Sequence, residues 1–286
     1  MRWENLRRSD NVEDRRRQRA ARMGGGFGLG GLLLILVVSV VLGKNPIELL
    51  ALLQDSGVAT APADSAPAPA PPGDHKNADF VRAILGDTED TWSAVFARSG
   101  SQYQAPRLVL FRDAVESACG FQSAAVGPFY CPPDSRVYLD LGFFQELSDR
   151  FGAPGDFARA YVIAHEIGHH IQNLIGVSEK VNAQRSRLGE EQGNALSVRV
   201  ELQADCLAGV WGHYAKERAL VDFADVQAAL AAATAIGDDR LQMRGRGYIA
   251  PESFTHGSSQ QRVRWFDTGM KAGDMKECDT FAARSL

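Results

Sequence analysis

One stretch of the sequence carries residue types whose spacing suits metal-dependent hydrolysis. Between Tyr161 and His170, His165, Glu166 and His169 form the motif His-Glu-x-x-His (HExxH). On a helix, positions i and i+4 share a face, so both imidazoles can bind one ion. Two neutral imidazoles suit zinc, and the adjacent glutamate can act on a water at that ion. The stretch therefore predicts a zinc site.

The surroundings of the motif argue against its arising by chance in a chain with six histidines. Residues 161–164 are mostly apolar, and Ile167 and Ile171 continue the apolar face. The motif therefore lies on a helix that is expected to be largely buried. Polar side chains on such a face are costly unless a metal or hydrogen bonds compensate them.

A third ligand is needed, because catalytic zinc usually has three protein ligands and a water. The metzincin continuation of the motif fails, since its glycine and histidine positions hold Gln172 and Ile175. A later helix offers Glu201 and Asp205, which are i and i+4 in an otherwise apolar run. We expect Glu201 to complete the site and Asp205 to hold a ligating histidine by its free ring nitrogen. The rival interpretation is an exposed acidic pair beside Arg199.

These groups predict attack on a carbonyl by a zinc-activated water, with Glu166 as the general base and later the proton donor to the leaving amine. The developing oxyanion needs a further donor. His256 is a candidate catalytic residue for that role, and Tyr161 is the alternative. His256 also precedes a predicted helix, so it can equally be a capping or surface residue. His170 and His213 are expected to be structural.

Charge and composition exclude one class of partner. Residues 1–26 carry eight arginines and four acids, so the rest of the chain has a net charge of −8 within a total of −4. No basic patch for nucleic acid remains outside this head. The hydrophobic content of 45% is ordinary for a globular protein with an adequate core.

The basic head precedes a span of apolar residues long enough to cross a bilayer. We therefore expect a cytoplasmic head at 1–26, a transmembrane signal-anchor at 27–43, and a juxtamembrane segment with an Ala/Pro-rich linker at 44–76. The metallopeptidase domain is expected at 77–286, on the periplasmic or extracytoplasmic side of a single-pass membrane protein. A cleaved signal peptide is the competing interpretation of the apolar span.

The pattern of the domain predicts an α+β fold in which helices predominate over a small sheet. A strand is expected at 107–111, and a hairpin is expected from 129–130 and 136–140. An acidic turn at 87–90 separates the first two predicted helices. The helices are expected at 80–85, 91–98, 141–151, 156–175, 195–218, 221–235 and 258–272.

Four cysteines follow the apolar span, and an even number in an oxidising compartment favours two disulfides. We expect Cys119 to pair with Cys131, closing a short loop, and Cys206 to pair with Cys278, tying the C-terminal tail to a long helix. The sequence alone allows three pairings, and a free cysteine acting as ligand or nucleophile is the rival interpretation.

Taken together, the motifs of the chain resemble the bacterial family of neutral zinc metallopeptidases, which are membrane-anchored, gluzincin-like HExxH proteins. The likeness runs over nearly the whole chain. It is carried by Arg2-Trp, Ser9-Asp-Asn-Val-Glu-Asp-Arg, Gly127-Pro-Phe-Tyr-Cys-Pro-Pro-Asp, Ala164-His-Glu-Ile-Gly-His-His-Ile-Gln, Glu201-Leu-Gln-Ala-Asp-Cys-Leu-Ala-Gly-Val-Trp, Thr255-His-Gly-Ser-Ser-Gln-Gln-Arg and Cys278-Asp-Thr-Phe.

The resemblance implies a zincin-like domain in which His165, His169 and Glu201 bind one Zn2+, Glu166 is the base and Asp205 supports a ligand. It also implies that a strand in the region 129–140 pairs with extended substrate. The leading hypothesis is a zinc endopeptidase whose partners are a peptide or unfolded protein substrate and, through residues 27–43, a lipid bilayer. The alternatives are a zinc-stabilised scaffold or binding protein without turnover, and an amidase acting on cell-wall peptides.

Overall fold

A computed structural model describes residues 1–17 and 74–286, and in these ranges the chain is mostly helical with two small sheets. This confirms the predicted α+β class. The helices are α1 (Asp74–Arg98), α2 (Gly142–Asp149), α3 (Asp156–Leu174), α4 (Val177–Arg185), α5 (Glu190–Glu217), α6 (Phe223–Ala235), α7 (Asp238–Arg246) and α8 (Ser259–Ala272). The strands are β1 (Val12–Asp14), β2 (Arg107–Phe111), β3 (Ala114–Ser117), β4 (Gly120–Ser123), β5 (Phe129–Cys131) and β6 (Arg136–Asp140).

The main sheet has the order β1-β2-β6-β5, with β1, β2 and β6 parallel and β5 antiparallel to β6. The predicted hairpin of β5 and β6 is therefore confirmed. Strand β2 is buried on both faces, which explains its continuous apolar sequence. Leu108 and Leu110 face the main core, whereas Val109 and Phe111 face a smaller apolar cluster. The hairpin of β3 and β4 forms a separate sheet that the sequence pattern did not predict.

Helix α5 approaches both α3 and α8 closely because a glycine lies at each of the two crossing points. A Cβ atom at Gly168 of α3 would lie 2.8 Å from the carbonyl oxygen of Ala204 in α5. A Cβ atom at Gly269 of α8 would overlap the carbonyl oxygen of Cys206. The first contact brings the helix with the HExxH motif against the helix with Glu201.

Helix α1 differs from the prediction of two helices separated by an acidic turn. It runs unbroken through residues 87–90 and begins at Asp74, three residues before the expected start of the domain. Two acids of this run are buried. Asp87 accepts from Trp211 Nε1 at 2.8 Å and pairs with Arg218 at 2.8 Å. Glu89 accepts from the Ser9 hydroxyl at 2.6 Å. These partners satisfy carboxylates that would otherwise require a solvated turn.

The first residues of the predicted head belong to the folded domain, unlike the separate head that the sequence predicts. Residues Met1–Arg16 cluster with the chain from Ala70 onward in one compact unit. The head adds β1 to the sheet, and Trp3 packs edge-on against Phe80 at 5.3 Å between ring centroids. Arg8 pairs with Asp79 of α1 at 2.7 Å. Arg7 and Arg8 therefore bind acids of α1.

The predicted localisation is corrected as well. Within residues 1–17 and 74–286, no helix combines the length and the apolar character needed to span a bilayer. A head that supplies a strand to the domain cannot lie across a membrane from it, as the single-pass prediction required. The predicted anchor at 27–43 lies outside the described residues, as does the linker up to residue 73.

Both predicted disulfides are confirmed: Cys119 pairs with Cys131, and Cys206 pairs with Cys278. The second bond joins α5 to the C-terminal tail, and all four cysteines are paired. The rival interpretation of a free cysteine as nucleophile or ligand is therefore wrong. The tail is held further by Arg199 of α5, which donates to the carbonyl oxygen of Ala283 at 3.2 Å.

Candidate metal centre

The side chains of the candidate site lie on facing stripes of α3 and α5. His165, Glu166 and His169 belong to the middle of α3, and Glu201 and Asp205 lie on the stretch of α5 that crosses it. All five are buried or half-buried, and Asp205 has no exposed surface. The close contact at Gly168 brings these two stripes within reach of each other.

The three predicted ligands come together in one group. His165, His169 and Glu201 each offer a donor atom, and these atoms lie within 4.8 Å of one another. The Nε2 atom of His165 lies 3.1 Å from Glu201 Oε2, and that of His169 lies 3.5 Å from Glu201 Oε1. The two imidazole planes are nearly perpendicular, at 87°. Both rings therefore direct the same nitrogen toward one carboxylate.

The opposite nitrogen of each ring is held by a polar side chain. His165 Nδ1 lies 2.8 Å from Asp205 Oδ1, as the sequence predicted for Asp205. His169 Nδ1 lies 2.9 Å from the amide oxygen of Gln172. Because both partners present acceptor oxygens, each ring carries a proton on Nδ1, and its Nε2 faces Glu201 with either a second proton or a bound cation.

This arrangement fits a cation between the three donors. The Glu201 carboxylate faces both Nε2 atoms, and positive charge at that point, from ring protons or from a metal ion in their place, would balance it. Two imidazole nitrogens and one carboxylate oxygen are a common ligand set of catalytic zinc. His165, His169 and Glu201 could therefore hold a metal ion, and their donor set suits zinc.

The electrostatics of the group agree with this fit. Burial disfavours a charged ring at His165, yet Asp205 and Glu201 raise its pKa to about 10. Burial likewise opposes ionisation of Glu201, but His169 and His165 hold the pKa of that carboxyl well below its usual range. Glu166 shows the reverse, since burial raises its pKa. The group favours positive charge at its centre, and Glu166 beside it retains a proton more readily than an exposed glutamate.

Sequence reasoning missed Arg262 and the supporting role of Gln172. Arg262 of α8 is 2% exposed and donates to both oxygens of Asp205, at 2.8 and 2.9 Å. Tyr161 donates its hydroxyl to Asp205 at 2.5 Å, so this group is engaged and is not a free donor for an oxyanion. The signal for Gln172 was available, because it lies three residues after His169 on the same helix. Arg262 gave no such signal within its own segment.

His256 lines a cavity that opens over this centre, and a buried carboxylate holds it. Asp238, at the start of α7, accepts from the backbone N–H of His256 at 2.6 Å and lies 3.4 Å from its Nδ1. The imidazole side chain is 52% exposed. The hydrogen bond with Asp238 raises the pKa of His256, although burial opposes it. A protonated His256 would present an N–H to the cavity.

The two histidines predicted to be structural, His170 and His213, have hydrogen-bond partners outside the metal-binding group. His170 Nε2 donates to the carbonyl oxygen of Gln104 at 2.6 Å, and its other ring nitrogen faces the Tyr130 hydroxyl at 3.0 Å. His213 Nδ1 donates to the carbonyl oxygen of Met270 at 2.9 Å. Both rings have backbone partners, as a structural role requires.

A cavity of about 740 Å3 opens over the candidate centre. Its floor is a stripe of α3, and β5, the edge strand of the main sheet, forms part of its wall. The metal-binding group, Glu166 and His256 all line it. A substrate in the cavity would therefore meet these groups and a terminal strand of the sheet together.

Comparison with known proteins gives one family for this chain. The family model described as "Putative neutral zinc metallopeptidase" matches residues 1–281. No solved structure matches the chain. The zincin-like fold implied by the motifs therefore stays a prediction.

The relatives extend over most or all of the chain. The uncharacterized protein YpfJ of Escherichia coli K12 is 46% identical over 287 residues, covering 98% of this chain and 99% of that protein. The uncharacterized protein Rv2575 of Mycobacterium tuberculosis H37Rv is 44% identical over 218 residues, covering 72% of this chain and 73% of that protein. Their names assign no activity.

Proposed function

This chain belongs to the "putative neutral zinc metallopeptidase" family, and we propose that it is a zinc-dependent endopeptidase. The observation that supports this proposal most is the convergence of His165, His169 and Glu201 within 4.8 Å, with Glu166 lining the same cavity. A structural zinc site is usually closed by four protein ligands, whereas three ligands leave a position for water. Glu166, beside these ligands, has a catalytic use only at a site that binds such a water.

Zinc at these three side chains would supply a Lewis acid that lowers the pKa of a water and polarises the scissile carbonyl. Glu166 accepts the proton of the attacking water and delivers it to the leaving amine. Its raised pKa, caused by burial, suits a group that must both take and return a proton near neutral pH.

His256 is the proposed donor to the developing charge on the carbonyl oxygen. His256 lines the cavity. The alternative donor that the sequence predicts, the Tyr161 hydroxyl, is already hydrogen-bonded to Asp205. Asp238 holds the backbone and ring of His256 and is a positioning residue. A preorganised donor of this kind contributes about 10²–10³-fold in rate.

Strand β5 supports an extended polypeptide as the substrate. It is an edge strand, paired only with β6 in the described sheet, and it lines the cavity beside the metal-binding group. An extended peptide can add to such an edge through main-chain hydrogen bonds. The scissile bond would then lie along the floor formed by α3.

The test measures zinc content and cleavage of a peptide library with the full chain, comparing wild type, Glu166→Gln and Glu179→Gln. We expect one zinc per chain in all three. Cleavage should fall by about 10²–10⁴-fold in Glu166→Gln, as for loss of a general base, and stay unchanged in Glu179→Gln on α4.

Three outcomes would contradict the proposal. Full activity of Glu166→Gln with zinc retained would exclude the assigned base. Zinc removal that unfolds the domain, with no peptide cleaved by the wild type, would support the scaffold instead. Cleavage restricted to cell-wall peptides would support the amidase.

A further inference from the structure

One wall of the cavity over the candidate centre is built from apolar side chains of separate segments. We call it the apolar wall, and it consists of Val126, Phe143, Phe151 and Leu241. Val126 is 62% exposed and Leu241 is 37% exposed, although both are large hydrophobic residues. Scattered exposed hydrophobics are ordinary, but convergence on one cavity is typical of a binding surface.

Contacts join the segments that carry these four side chains. Gly127, the neighbour of Val126, lies against Phe143, since a Cβ atom there would be 3.5 Å from the Phe143 ring. The rings of Phe143 and Phe151 lie 6.3 Å apart. Arg244 of α7 donates to the carbonyl oxygen of Arg150 at 3.3 Å, which joins the segment of Phe151 to the helix that carries Leu241.

The charged residues at this wall compensate each other. Glu146 and Arg150 also line the cavity and form an i,i+4 ion pair at 3.8 Å. The Arg150 guanidinium lies over the Phe151 ring, 5.6 Å from its centroid. An exposed pair of this kind contributes little to stability, and at this wall its two charges are directed at each other. Arg185 of α4 also lines the cavity but is not part of the wall. The wall therefore selects by apolar contact.

From this surface we infer the substrate class: the apolar wall binds a bulky apolar side chain, and the substrate is an unfolded or partly unfolded polypeptide. Leu, Ile, Phe and Met side chains are mostly buried in folded proteins, so an extended segment that presents one comes from a chain that has lost its fold. Short peptides of small or charged residues would leave the wall exposed to water. This inference rests on the proposed function.

The experiment uses two matched substitutions on α7 of the full chain. Leu241→Glu places a charge in the apolar wall, whereas Met243→Glu changes an exposed residue of the same helix that does not line the cavity. Both positions are exposed enough for the variants to fold. Each is made in the Glu166→Gln background for binding and in the wild-type background for cleavage.

Binding is measured by fluorescence anisotropy with a labelled peptide that has a central Phe-Leu pair, and with its Ser-Ser counterpart. We expect the Phe-Leu peptide to bind at least about 10-fold more tightly, as for loss of apolar groups from a pocket. Leu241→Glu should remove this preference, and Met243→Glu should retain it. In the cleavage arm, sites flanked by bulky apolar residues should lose about 10-fold in kcat/KM with Leu241→Glu.

The arms separate this inference from the proposed function. Equal binding of both peptides, or a preference that Leu241→Glu leaves intact, overturns the apolar wall while zinc-dependent cleavage still stands. Apolar binding that depends on Leu241, with no peptide cleaved by the wild type, overturns the proposed function and supports the wall as a binding site. Absence of binding and of cleavage overturns both.

Discussion

His165 and His169 direct equivalent nitrogens toward Glu201, but the groups behind them differ in charge. Behind His165, Asp205 is ionised and is paired with Arg262 at 2.8 Å. Behind His169, the neutral amide of Gln172 accepts at 2.9 Å and donates in turn to the carbonyl oxygen of Val200 at 2.7 Å. One half of the centre is built on charges and the other on amides.

The difference separates two tasks that a supporting group can perform. Either partner fixes the tautomer and the orientation of its ring. Only the carboxylate adds negative charge, which makes His165 the more basic ligand. That charge is buried at zero exposure, and burial opposes it; Arg262 and His165 nonetheless lower the pKa of Asp205 to about 2. We infer that the charged half depends on Arg262, whereas the amide half needs no counter-ion.

The largest expected effect comes from breaking the charged half at Arg262. Arg262→Met leaves Asp205 buried without its counter-ion, and loss of one partner from such a pair costs about 3–5 kcal/mol. We expect that decrease in the free energy of unfolding, measured by urea denaturation. Arg264→Met is the matched control, because Arg264 is exposed on the same helix. Equal stability of the two variants would show that the buried pair does not support the fold.

The next effect compares the two halves directly through zinc affinity. Loss of a group that supports a metal ligand typically weakens binding by about 10–100-fold. We expect Asp205→Asn to lie near the upper value, because it removes orientation and charge. Gln172→Leu should lie near the lower value, because it removes orientation alone. Affinity is measured by competition with a chelator of known zinc affinity, so activity is not required.

Gln145→Leu is the control for the amide half, since Gln145 is an exposed glutamine of α2 and should leave zinc affinity unchanged. Equal losses for Asp205→Asn and Gln172→Leu would contradict the comparison, because charge would then add nothing. A larger loss for Gln172→Leu would reverse it.

The sequence predicts the centre only in part. His165, His169, Glu201 and Asp205 were found because i and i+4 spacing on apolar helices leaves few other uses for polar residues. The partner of Asp205 was not, because Arg262 lies 57 positions later on a helix where an arginine is ordinarily solvated. Spacing within one helix is visible in a sequence, whereas a pair between helices depends on how they pack.

The segments whose structure was predicted wrongly either have distant partners or are too short to show a pattern. An acidic run at 87–90 is typical of a turn, and it is helical here because Trp211, Arg218 and Ser9 supply its partners from distant segments. Strand β1 has three residues in an arginine-rich head, which is too short for a pattern of period two. Helix α4 buries only Val181, so it has no apolar stripe to recognise. In contrast, the long helices α3 and α5 follow their apolar patterns.

The smallest expected effect concerns His256, which repeats the histidine–carboxylate pair of His165 at an exposed position. The hydrogen bond with Asp238 raises the pKa of His256. A raised histidine pKa stabilises the fold below the ordinary value of about 6.5, and this contribution is lost as the pH rises through the folded-state pKa.

We therefore expect His256→Gln to lower stability at pH 5.5 by less than about 1 kcal/mol, as for other exposed pairs, and to match the wild type at pH 8.5. Urea unfolding at the two pH values measures this difference. A loss that is the same at both pH values would mean that the charge of His256 contributes nothing. A loss as large as that of Arg262→Met would mean that burial does not explain why the Asp205–Arg262 pair stabilises the fold more than an exposed pair does.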